Sequence, residues 1–200
     1  MDSPFGFQTS KVVELGLGLK ADDPLENIGS YNDEMTISQV VRFFERKGIS
    51  FTKTMIQNYV RIHLIPPPKD KRFYTKDHLI MLTIIDMLKS IYSLDEIKVI
   101  FRPIMNDINT FSDDVLEMSN IYQTYLTLYR EALFNWAESL PSLVNRAETI
   151  AEQAKVTGEE KTKVTNFISI LTLMAQGIAT KQMVTALLAE SRADAEETEE

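Results

Sequence analysis

Three consecutive prolines, Pro66 to Pro68 in "RIHLIPPPKDKRFY", impose the strongest local constraint on this chain. Proline has no N–H to donate and restricts the residue before it, so no helix or central strand can run through this point. Helical patterns lie on both sides of the break. Upstream, "TISQVVRFFERKG" sets Ile37, Val40, Val41 and Phe44 at helical spacing, with Thr36 as N-cap and Gly48 as stop. "TKTMIQNYVRIHL" then gives a second helix with an apolar face of Ile56, Tyr59, Val60 and Leu64. Its opposite face carries Lys53, Thr54, Gln57, Asn58 and Arg61. Downstream, Thr75 caps a helix that buries Leu79, Leu82, Ile85, Met87 and Leu88. Ser93 opens a short helix, with Glu96 placed for a capping box. Residues 36–102 therefore read helix, turn, helix, proline-rich connection with a basic aromatic tip, helix, helix. "KRFY" offers at most a small β ribbon.

The flanks divide the chain further. Residues 1–34 form an arm, partly helical or flexible. "SKVVELGLGLK" is weakened as a helix by Gly16 and Gly18, and "ADDPLENIGSYND" is rich in turn formers. Residues 35–105 form a first domain, and 106–192 an all-α second one expected to serve dimerisation through its helices or to hold an effector. In the latter, Val115, Met118, Tyr122, Tyr125, Tyr129, Ala132 and Trp136 step by three and four, as an aromatic heptad seam does. Pro141 can begin a new turn of helix before "SLVNRAETIAEQAKV". A last helix repeats the stepping at Val164, Phe167, Leu171, Met174 and Ile178. Residues 193–200, acidic at the end, are expected to be a disordered tail.

Charge is zoned. The chain has net charge −8, yet 35–105 sum to +6 between ends of −5 and −9. A phosphate-binding surface needs a local positive field rather than a basic whole, and the middle supplies one. There are no cysteines, which excludes disulfides, thiolate metal sites and thiol chemistry. No signal peptide is expected from "MDSPFGFQTSKVV", and the longest apolar run, Phe167 to Ala179, is short for a bilayer. A cytoplasmic protein without membrane contact is expected.

"VVRFFERKGIS" resembles the R-Y-Y-E-x-x-G-L signature of MerR-type DNA-binding domains, but the proline pair that should follow is missing there. The order fits further along. Tyr59, the Leu64–Ile65 pair, Pro66–Pro67, Arg72 with Tyr74, Thr75 with Asp77, and "SLDEIK" fall in the MerR sequence of landmarks. The resemblance covers Thr36 to Arg102. Gln57 stands where arginine is usual and His63 where glycine is usual. The strings "FTKTMIQNY", "PPP", "YTKDHL" and "SLDEIK" are also similar to a bacterial family catalogued only as a domain of unknown function. The resemblance implies a MerR-like winged helix-turn-helix in a mainly all-α chain, followed by a helical domain or bundle.

On this reading Lys53, Thr54, Gln57, Asn58 and Arg61 read base edges or phosphates. Lys69, Lys71, Arg72, Tyr74 and Lys76 form a phosphate-gripping wing, with the Tyr74 ring itself more at home in the core. A solvated helix face is the plain alternative for the first group. Tyr122, Tyr125, Tyr129 and Trp136 form either helix packing, within the chain or across a dimer, or a pocket for a small-molecule effector. His63 and His78 share no helical face and read as a turn residue and a surface or capping residue. No metal, cofactor or nucleophile–base set is evident, so no enzyme is expected. The expected function is a homodimeric DNA-binding regulator. The rival is a helical interaction adaptor that keeps the fold without binding DNA.

Overall fold

A computed structural model describes residues 5–26, 28, 34–112 and 114–197, with side chains to Ala193. Parts of the turn-rich arm (27 and 29–33), Asp113 and residues 198–200 lie outside it. Among the described residues there are seven helices and no strand. They are α1 (Ser10–Gly18), α2 (Ile37–Arg46), α3 (Lys53–Arg61), α4 (Lys76–Leu88), α5 (Leu94–Phe101), α6 (Met118–Gln153) and α7 (Gly158–Glu197). The chain divides into two compact units, Met1–Ala21 with Thr127–Ala186, and Asp22–Leu126 with Leu187–Glu200.

The second of these units holds α2 to α5 and the start of α6. Its helices begin and end as local chemistry dictates. Thr36 N–H donates to Gln39 Oε1 at 2.8 Å, Met55 N–H to the Thr52 hydroxyl at 3.1 Å, and Ser93 N–H to Glu96 Oε2 at 2.7 Å. α2 and α3 finish in the same Schellman motif. Gly48 N–H donates to Glu45 O and Ile49 N–H to Phe44 O; His63 N–H donates to Val60 O and Leu64 N–H to Tyr59 O. The motif needs a left-handed residue, supplied by Gly48 at φ 75° and by His63 at φ 57°. A Cβ is strained there, so His63→Gly should raise stability by about 1 kcal/mol. Urea denaturation checks this, and a lower midpoint would contradict the strain.

α4 is the centre of this unit: Leu79, Ile80, Met81, Leu82, Ile84 and Ile85 are all buried. Around it pack Val40 and Phe44 of α2, Ile56 and Tyr59 of α3, and Ile97 and Phe101 of α5. An edge-to-face series, Phe43–Phe44–Phe51–Tyr59, with centroids 4.8 to 6.4 Å apart, braces α2 against α3. The arm is not all peripheral. Leu25 is buried in this core, and Asp23 Oδ1 accepts from Leu25 N–H at 3.0 Å and from the Tyr122 hydroxyl at 2.6 Å.

In the other unit α1 packs on α6 through Gly16, where a Cβ would fall 2.0 Å from Leu140 Cδ1. Ala137, Leu140, Val144, Ala147 and Ala151 form the buried line of α6. The segment before α1 is tied to α7, since Asn166 Nδ2 donates to the carbonyls of Phe5 at 2.8 Å and Phe7 at 2.6 Å.

Several expectations change. Pro141 lies inside α6, which runs on without a break from the residues before it. It removes one backbone bond, and nearby the Ser139 hydroxyl donates to Trp136 O at 2.6 Å. The seam from Val115 to Trp136 is not buried as one line within the chain. Val115 precedes the helix and is exposed, Met118 and Tyr122 are buried, and Tyr129 and Ala132 are exposed. The buried line passes to Leu126 and then Ala137, because a 3.6-residue helix drifts from a 3.5-residue repeat. The segment expected as a disordered tail from 193 continues α7 to Glu197, consistent with the high helix propensity of its Ala and Glu residues.

The long apolar helix also differs from expectation. Gly158–Ala193 is long and apolar enough, by length and composition alone, to cross a membrane. Its uninterrupted apolar run is short, but the Thr, Ser and Gln residues that break it are uncharged. Its buried side chains in the first unit are Thr165, Asn166 and Ser169, while the stripe Phe167, Leu171, Met174 and Ile178 faces outward.

Candidate nucleic-acid interface

α3 is amphipathic in the sense its sequence predicts. Ile56 and Tyr59 are buried, whereas Lys53, Thr54, Gln57 and Arg61 are exposed and Asn58 is half-buried at the flank. Fixing one side in the core leaves the other rigidly presented. Arg61 Nη2 donates to Asn58 Oδ1 at 2.6 Å, which holds the guanidinium along the helix. Lys98 of α5 reaches back to Ile62 O at 3.0 Å, so "SLDEIK" supports the end of α3. The sequence placed Lys98 in a landmark without showing this role.

The proline-rich connection ends in a tight turn. Arg72 and Phe73 both donate N–H to Lys69 O, and Asp70 and Lys71 sit at φ 51° and 57°. Two successive left-handed residues are the mark of a type I′ turn. The expected ribbon reduces to single bridges, Lys69 with Phe73 and Tyr74 with Met35. Lys69, Lys71 and Arg72 are exposed at this tip and Lys76 is half-buried. Arg72 lies 5.1 Å over the Phe73 ring, and Lys69 Nζ meets Glu34 Oε1 at 3.2 Å. Tyr74 is 4% exposed, so its ring anchors the turn, and burial pushes its hydroxyl pKa up.

Beneath the turn sits His78, which is buried rather than a surface residue, though it does cap. Thr75 N–H donates to its Nδ1 at 3.0 Å, leaving the ring proton on Nε2, 3.3 Å from Pro66 O. The ring meets Tyr74 and Phe111 edge-on at 5.2 and 4.9 Å. One side chain thus clasps both roots of the basic turn. Burial lowers its pKa to about 4, against the opposing pull of the Pro67 and Pro66 carbonyls. Its position three residues after Thr75, where Glu or Gln is usual, is the signal the sequence offered.

The structure therefore assembles one exposed polar helix face and one exposed basic turn within the +6 segment. The four aromatic candidates are divided between the two units, Tyr122 and Tyr125 in one and Tyr129 and Trp136 in the other. Tyr122 is core, its hydroxyl committed to Asp23. Among the described residues no cluster of three His, Asp or Glu is placed to hold a metal ion.

No curated protein and no solved structure matches the chain. Residues 26–125, half of its length, match the family model described as Domain of unknown function (DUF1836). That span takes in α2 to α5 with the start of α6, and it ends beyond Tyr122, whose tie to Asp23 joins the arm to the core. The chain belongs to the DUF1836 family.

Proposed function

We propose that the chain is a DNA-binding transcriptional regulator that acts as a cytoplasmic homodimer, with α2 to α5 as a MerR-like winged helix. The observation that carries this reading is the exposed polar face of α3 together with the exposed turn of Lys69, Lys71 and Arg72. Gln57 offers bidentate bonds to an adenine edge, and Arg61 to a guanine edge or a phosphate. The turn neutralises phosphates and sets register, contributing affinity without sequence information. Two copies related by a two-fold axis would present two α3 helices to a pseudo-palindrome.

The test is a mobility shift on fragments selected from genomic DNA, comparing the wild-type chain with Arg61→Ala/Arg72→Ala. Losing a base contact costs about 1–3 kcal/mol, and losing a phosphate contact flattens the salt dependence by about one charge. Affinity should fall at least about tenfold with a shallower salt slope. Unchanged affinity and slope would defeat this interface and favour an interaction module that keeps the fold without binding DNA.

A further inference from the structure

The outward stripe of α7 is out of keeping with a surface helix. Phe167, Leu171, Met174 and Ile178 are 46 to 58% exposed, and from Val164 to Ala189 the only charge is Lys181. Continued at heptad spacing, the same line begins at Glu160 and Val164 and runs on through Lys181, Thr185, Leu188 and Arg192.

We infer that this line is the dimer seam, covered by α7 of a second copy running antiparallel. The argument is one of register. Turned end for end about Gln176, the line falls onto itself: Val164 meets Leu188, Phe167 meets Thr185, Leu171 meets Lys181, and Met174 meets Ile178. Glu160 then meets Arg192 at both ends, giving two ion pairs that close the apolar stretch. Lys181 lays its aliphatic stem over Leu171 and carries its ammonium to the rim. A parallel in-register pair would instead set Glu160 on Glu160, Lys181 on Lys181 and Arg192 on Arg192. Three like-charge layers oppose that arrangement, and the antiparallel one removes all three. A bilayer fits the line less well, because it would bring a lysine in the middle of the stripe against hydrocarbon, which is costly for any charged side chain. The inference rests on the two-copy form proposed above but not on DNA binding.

The chain has no cysteine, so single cysteines report register cleanly. Full-length Val164→Cys and Leu188→Cys chains are mixed, oxidised and compared with each alone. Only the mixture should cross-link efficiently, because the antiparallel seam holds like positions apart by roughly 36 Å of helix. In sedimentation equilibrium Glu160→Arg should weaken the dimer about tenfold, and adding Arg192→Glu should restore it. Both positions are exposed, so folding is untouched. A wild-type monomer, Val164→Cys cross-linking to itself, or no rescue in the double variant would overturn the seam. So would a monomer that floats with phosphatidylglycerol vesicles. A dimer of the stated register that ignores DNA refutes the regulator and leaves the seam. A chain that binds a palindrome without this register does the reverse.

Discussion

Phe44→Ala should unfold, or nearly unfold, the unit built on α4, whereas Gln57→Ala should leave its stability unchanged. Phe44 is fully buried and makes edge contacts to Phe43 and Phe51 at 5.1 and 4.8 Å. Removing such a ring costs about 3–5 kcal/mol, since the aromatic series beside it can collapse only in part. That is comparable with the whole stability of many domains, ~5–15 kcal/mol. Gln57 is exposed on the free face of α3, where a substitution typically shifts stability by under about 0.5 kcal/mol. Urea denaturation followed by circular dichroism reads both. A wild-type midpoint for Phe44→Ala would mean that "VVRFFERKGIS" is not the brace of α3. Unfolding by Gln57→Ala would mean that the proposed reading face is structural.

Acid should destabilise the same unit through one residue. His78 is held neutral with a pKa near 4, against about 6.5 in an unfolded chain. Between those values the unfolded state binds the extra proton, so stability is full above about pH 6.5 and falls as pH drops toward 4. The loss amounts to roughly 3 kcal/mol for a group this buried. His78→Gln keeps an acceptor for Thr75 N–H and a donor toward Pro66 O but has no proton to gain. Denaturation midpoints at pH 7 and 4.5 should therefore fall less for the variant than for the wild type. Equal falls would show that the carboxylates alone set the acid limit. Because the ring clasps Pro66 and Thr75, the same protonation should loosen the turn that carries Lys69, Lys71 and Arg72.

Much of this was legible because its causes are local. Thr36, Thr75 and Ser93 were read as caps, since a cap needs only its own side chain and the next few residues. The proline triplet marked the connection for the same reason. His63, in the place where the resemblance expected glycine, takes the left-handed conformation that place requires. Tyr74 proved to be core, as its ring favoured, and that withdraws it from the exposed basic set.

What failed was the side of each long helix that meets the rest of the molecule. Periodicity marks Tyr129 and Ala132 as seam residues without showing that they are exposed within the single chain. It marked Phe167 to Ile178 as a stripe without revealing that the stripe faces out, while Asn166 is buried by bonds to Phe5 and Phe7. For His78 the capping alternative holds and the surface one does not, because nothing near it in sequence announces Pro66 O or Phe111. The sequence alone determined helix starts and stops, the break at Pro66 and the basic middle, since these depend on groups a few residues apart. Only the tertiary structure decided which faces are buried, because burial depends on surfaces far apart in the chain meeting in space.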